Sequence, residues 1–290
     1  MSATTVQPSP SGEVVPTPTV PRHGLRGWWS DSVALLGRNL RRYQRQPQIA
    51  VFVLIQPVMF VLLFRYVFAG SIPTPGLDYV QYLMPGIIVQ SVTFASVGTA
   101  IGIAEDLKAG MLDRFRSLPM ARSAVLAGRV LSDVLVSLVT LSVMLMVAYL
   151  VGFRITTSPL EALAALGLLV AFVGSFAWIA AWIGLSLKEP EAVQSAGFVW
   201  LFPLAFASSL FVLPATMPGW LQGFAEWNPL SNVANAVRAL TVGGYPCGSS
   251  LETIEMCTSA TGEALTSLAW ALGILLVFVP LAARGWRKLD

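Results

Sequence analysis

Few residues in this chain could do covalent or ionic chemistry, and they lie far apart in sequence. Cys247 and Cys257 bracket the run CGSSLETIEMC. Two thiols that close can form one disulfide on an oxidising side of a membrane, worth roughly 2–4 kcal/mol in the chain-entropy picture. Arg129 and Asp133 stand four positions apart, the spacing that lets a guanidinium and a carboxylate pair on one helix face. Such a pair serves either as a structural bridge or as part of a gate. His23 is the single histidine, so no metal site is expected. There is no HExxH, GxSxG or set of facing acids for a membrane-embedded enzyme to use. GxxxxGK[ST] is also missing, so the chain has no phosphate-cradling P-loop of its own.

The densest group of charges is EDLKAGMLDRFRSLPMARSA, residues 105–124. Leu107, Met111, Phe115 and Leu118 recur at spacings of 4, 4 and 3, which predicts one apolar stripe on a short helix. Asp106, Lys108, Asp113, Arg114 and Arg116 surround the stripe, and Pro119 ends the helix or turns the chain. A helix lying on the bilayer favours a mainly basic polar face. Three acids (Glu105, Asp106 and Asp113) against four bases suit a groove on a soluble partner better. A plain surface helix is the competing reading.

The elements that position these residues are apolar and long. Hydrophobic residues make up 55% of the chain and charged ones only 11%, against about 25% charged in soluble domains. An integral membrane protein is the consequence. Six runs reach the roughly 20 apolar residues that cross a hydrocarbon core: about 49–69, 80–104, 124–151, 160–187, 192–213 and 264–283. They are continuously apolar instead of alternating, so helices are expected and barrel strands are not. With both termini cytoplasmic, fifteen of the eighteen Lys and Arg residues fall inside and only Arg65, Arg154 and Arg238 outside, as the positive-inside bias requires. The basic balance therefore concerns topology, with no nucleic-acid partner implied. Residues 1–23 are expected to be a disordered cytoplasmic tail without a signal peptide. Residues 24–47 place Trp29, Val33, Leu36, Leu40 and Tyr43 opposite Arg38, Arg41, Arg42 and Arg45, the pattern of an amphipathic helix in the headgroup layer. Residues 48–290 then form one six-helix transmembrane domain.

Four stretches resemble the ABC-2-type permeases, and most closely the daunorubicin-resistance-type permeases of actinobacteria: QPVMFVLLFRYVFAG (56–70), YLMPGIIVQ (82–90), EDLKAGMLDRFRSLPMARSAVLAGR (105–129) and PATMPGWLQGFAEWNPLSNVANAVRAL (214–240). The resemblance runs from about residue 47 to the end. It implies an all-α, six-helix ABC-2 permease fold in the bacterial plasma membrane. It also implies that residues 105–123 are a coupling helix against an ATP-binding subunit. Glu105, Gly110, Arg114, Arg116, Leu118 and Pro119 match the family's pattern there, joined by Phe115 of the apolar stripe.

The partners implied are two ATP-binding subunits, which would hold ATP and Mg, and a second permease chain, identical or related. This chain would hold no cofactor. The spans lack the central carboxylates that ion-coupled carriers use, which favours a hydrophobic or amphipathic cargo such as a drug, antibiotic or lipid. The second and fifth spans would line the route between the two permeases, making Phe94, Phe198, Phe202 and Phe206 candidate path residues. Aromatics at this spacing are also ordinary packing or lipid contacts. The outer loop 214–263 reads as two short helices broken at Asn228-Pro229. The resemblance makes them re-entrant, with Pro214, Trp220, Asn228 and Pro229 at an outer gate. A secondary ion-gradient carrier for drugs or lipids is the alternative; collapsing the proton gradient at constant ATP should stop only that one.

Overall fold

A computed structural model describes residues 47–68, 74, 76–110, 122–248, 250 and 253–287. The amphipathic helix, the tail and residues 111–121 of the coupling segment lie outside the described residues. Eight α-helices are described, named here in chain order: α1 (Pro47–Leu62), α2 (Tyr79–Lys108), α3 (Arg122–Val151), α4 (Pro159–Leu187), α5 (Pro190–Phe206), α6 (Gly219–Trp227), α7 (Pro229–Val242) and α8 (Ala260–Arg287). The last turns of α1 continue as a π-helix, Leu63–Phe68, and a 3-10 turn covers Pro214–Thr216.

Among the described residues four helices, α2, α3, α4 and α8, are long and apolar enough to cross a membrane. Helix α2 is the axis of the molecule. It packs against α1, α3, α4, α5 and α7, and Leu83, Met84, Ile87 and Val89 are fully buried along it. Glycines let its neighbours approach at backbone distance, the membrane alternative to hydrophobic association. A Cβ on Gly184 of α4 would press on the Ala100 carbonyl, and one on Gly197 of α5 would meet Val97 at 3.0 Å. Helices α3 and α8 are peripheral, with Met146, Leu150, Leu265 and Leu276 exposed as lipid contacts would be.

Turn chemistry follows the sequence. Ser158 and Glu161 form a reciprocal capping box at the start of α4, with Pro159 at the first helical position. Lys188 closes α4 in the left-handed region, and α5 begins two residues later.

Two expectations need correction. The fifth apolar run predicts helix over 192–213, but α5 stops at Phe206 and residues 207–213 run on as turns. Helix propensity loses here because side chains of other elements satisfy the turn's backbone, as the next subsection describes. The outer loop belongs to an all-α fold by expectation, yet Tyr245–Cys247 and Glu255–Cys257 pair as two short antiparallel strands, β1 and β2. Cys247 and Cys257 are joined by a disulfide across that hairpin.

Candidate functional sites at the two ends of the central helix

The molecule has a loop end, where α2 leaves for the coupling segment, and a hairpin end, where β1 and β2 sit. A buried arginine grips α2 at each.

At the loop end, Arg129 of α3 is only 9% exposed. Its Nε lies 3.3 Å from the Asp133 carboxylate and its Nη1 lies 3.6 Å from Asp106 of α2. One cation thus bridges two acids on two helices. The guanidinium lies directly over Gly102, in the space that a Cβ there would fill. Two turns further, Lys108 pairs with Glu189 at 2.7 Å, tying the end of α2 to the α4–α5 turn. That pair is exposed and adds little stability. Glu105 is half-buried in the last full turn of α2. Gly110 closes the helix at φ +64, donating its N–H to the Leu107 carbonyl, a left-handed cap that favours glycine. Arg114, Phe115, Arg116, Leu118 and Pro119 lie outside the described residues. Both helices flanking them are therefore locked together just before the chain enters the coupling segment.

At the hairpin end, Arg238 of α7 is fully buried. A charge count places it among outward-facing cations and misses this role. It has no carboxylate partner among the described residues. Its charge is solvated instead by oxygen dipoles: the carbonyls of Tyr82 (2.8 Å), Ser209 (2.9 Å) and Leu210 (3.0 Å), and Asn235 Oδ1 (2.7 Å). The guanidinium also sits 3.8 Å from the centre of the Tyr82 ring, a cation–π contact strengthened by burial. The signal available in the sequence was an arginine with Val237, Ala239 and Leu240 beside it.

These contacts explain why α5 can end inside apolar surroundings, where free backbone groups are not tolerated. The Tyr82 hydroxyl donates to Ser209 O at 2.7 Å, and Asn228 Nδ2 donates to the carbonyls of Leu204 and Ala207 at 2.7 and 3.0 Å. Ser231 Oγ accepts the Ser209 N–H. Asn228 also caps α7, its Oδ1 accepting the Leu230 N–H, with Pro229 at the first helical position. Leu210's carbonyl rests on Gly86 of α2 with no room for a Cβ. Gly86→Ala is therefore expected to undock the turn and to lower folded yield in membranes severalfold, measured by size-exclusion profile after mild solubilisation; an unchanged profile contradicts it. Of the remaining gate candidates, Pro214 opens the 3-10 turn, and Trp220 is 80% exposed on α6.

The four candidate path phenylalanines meet. Phe94 of α2 lies 5.3 Å from Phe202 edge-on and 6.2 Å from Phe198, and Phe202 stacks on Phe206 at 5.8 Å. The ladder continues through Phe211, Phe60, Phe64 and Phe68, which periodicity within one helix could not reveal. Phe202 and Phe206 remain substantially exposed, as do Val199 on α5 and Met59 on α1.

Comparison with known proteins agrees with this architecture. The model of the ABC-2 type transporter family matches residues 31–242. A relative of Streptomyces coeruleorubidus, named a daunorubicin resistance ABC transporter permease protein, is 34% identical over 262 residues, 89% of this chain and 87% of its own. A Mycobacterium tuberculosis protein, named a probable doxorubicin resistance ABC transporter permease protein, is 25% identical over 252 residues, 87% and 86% of the two chains.

Proposed function

The chain belongs to the ABC-2 type transporter family, and on that premise we propose that it moves a hydrophobic or amphipathic compound out of a bacterial cell, powered by a separate subunit. It is an integral membrane protein and the membrane subunit of an ABC drug exporter, partnered by an ABC ATP-binding protein. Two copies of that partner would hold ATP and Mg, and a second permease chain would complete the path. The chain crosses the membrane six times with both termini in the cytoplasm. Helix α5 covers about 25 Å at 1.5 Å per residue, and the backbone-satisfied turn after it completes the fifth crossing. The π-extended α1 provides the first.

The observation that carries the mechanism is the grip on α2 at both ends. Thirty residues of helix make a rod of about 45 Å, and the segment predicted to dock on the ATP-binding partner leaves directly from its Gly110 cap. A push on that segment moves α2 and α3 together through Arg129. Arg238 passes the motion to α7 and the turn after α5, which form the outer gate. The exposed Phe202–Phe206 face of α5, with the aromatic ladder behind it, lines the route shared with the second permease.

Glu105→Ala and Arg116→Ala are expected to leave membrane insertion intact while lowering ATP-driven export and transport-stimulated ATP hydrolysis about tenfold. Export at the unmodified rate by both variants, measured in inverted vesicles, would remove the coupling assignment.

A further inference from the structure

Gly86, Gln90, Phe94 and Val97 follow one another on α2 at spacings of 4, 4 and 3, which sets them on one face of the helix. Three of the four touch α5 or the turn after it. Gly86 receives the Leu210 carbonyl, Phe94 meets Phe198 and Phe202, and Val97 packs on Gly197. Gln90 therefore stands in the middle of the α2–α5 seam, about 17 Å along the helix from Tyr79 at 1.5 Å per residue.

The side chain of Gln90 is 2% exposed, and among the described residues neither its amide nitrogen nor its amide oxygen has a hydrogen-bond partner. Tyr79, Trp200 and Ser267 each leave a single buried polar atom in that condition; Gln90 leaves a whole amide. Its polar neighbours on α2 differ. Ser91 and Ser96 at 2.6 Å, and Thr93 at 2.7 Å, each donate to a carbonyl of their own helix. A seam lined by phenylalanine, valine and glycine offers an amide nothing comparable. A buried amide that has given up its water and gained no bond destabilises the arrangement that buries it. The rest of the seam acts the other way: the two glycine contacts and the Phe94 cluster close it.

We propose that Gln90 is the release element of this seam. Its amide is without partners while α2 and α5 are closed and takes up water once they part, so it biases the subunit toward opening. The proposal rests on the export reading above and on the push carried by α2. It explains how contacts as close as those at Gly86 and Gly197 can still be undone in every cycle.

The test uses the full complex with its ATP-binding subunit in lipid vesicles and the variant Gln90→Met, whose side chain is similar in length and needs no hydrogen bond. The thermal unfolding midpoint of the nucleotide-free complex should rise by about 2–4 °C. ATP-driven export, and ATP hydrolysis measured without cargo, should both fall about tenfold. Stability and activity then move in opposite directions, whereas loss of a merely structural residue lowers both. A lowered midpoint overturns the proposal, as does a raised one with export unchanged. Lost export beside unchanged cargo-free hydrolysis overturns it too, since that marks a residue that only touches cargo. Cys247 and Cys257 are bonded to each other, so Gln90→Cys adds the one free thiol of this chain. A membrane-permeant maleimide should react with that thiol about tenfold faster during ATP turnover than without nucleotide; equal rates overturn the parting of the seam. Export by the unmodified complex is measured alongside. Its absence overturns the export reading, and the order of the two unfolding midpoints still decides whether the amide opposes closure.

Discussion

Arg238→Ala is expected to abolish export by preventing the hairpin end from assembling. Removing the side chain leaves the Leu210 carbonyl without its guanidinium partner and takes one donor each from Tyr82 O and Ser209 O. It also opens a void against the Tyr82 ring. Leaving a buried carbonyl unpaired costs on the order of 1–3 kcal/mol, and the void adds to it, a large part of a typical domain's 5–15 kcal/mol. Arg238→Lys should rescue only in part: an ammonium keeps the charge, but it cannot spread a planar fork over carbonyls contributed by α2 and the turn after α5. Thermal unfolding of the purified protein should rank native above Lys above Ala. A stable, exporting Arg238→Ala variant would mean that the turn is held by something else.

Arg129→Met should be nearly as damaging, for a different reason. It strands the buried Asp133 carboxylate at a partly dry helix junction and cuts the tie to Asp106, with a cost on the order of 3–5 kcal/mol. Adding Asp133→Asn removes the stranded charge and should restore much of the folded yield. The two roles left open for this pair then separate. A merely structural bridge predicts that the double variant regains export together with stability. A link that carries motion from the coupling segment predicts recovered assembly with export still about tenfold down. We expect the second outcome, because the clamp joins the two helices that flank residues 111–121.

Which parts of this were legible in the sequence has a physical explanation. The long spans were visible because lipid-facing and core-facing positions are both apolar, so α2, α3, α4 and α8 read as uninterrupted runs. The break between α6 and α7 was visible because Asn228 and Pro229 are local signals, a cap and a first-turn residue. The end of α5 was not. Nothing within Phe206–Leu213 stops a helix by itself; the turn exists because Tyr82, Asn228, Ser231 and Arg238, remote in sequence, satisfy it. The role of Arg238 was hidden for the same reason: a charge count assigns a cation to a side and is silent on burial, whereas this one is solvated by carbonyls. Arg129 and Asp133 were legible as a pair from spacing alone, but Gly102 and Asp106, which turn the pair into a bridge between helices, belong to a different element. The phenylalanines of α5 could be named from periodicity, and their partners on α1 and in the turn after α5 could not.

The central claim is that this subunit does no work alone and receives its power through the segment that leaves α2 at Gly110. The direct measurement is uphill uptake into inside-out vesicles containing the permease, with and without its ATP-binding partner. The account predicts uptake only when partner and hydrolysable ATP are both present, persisting after the proton gradient is collapsed. Concentrative uptake by the permease alone, or uptake that vanishes with the proton gradient while ATP is held constant, would contradict it.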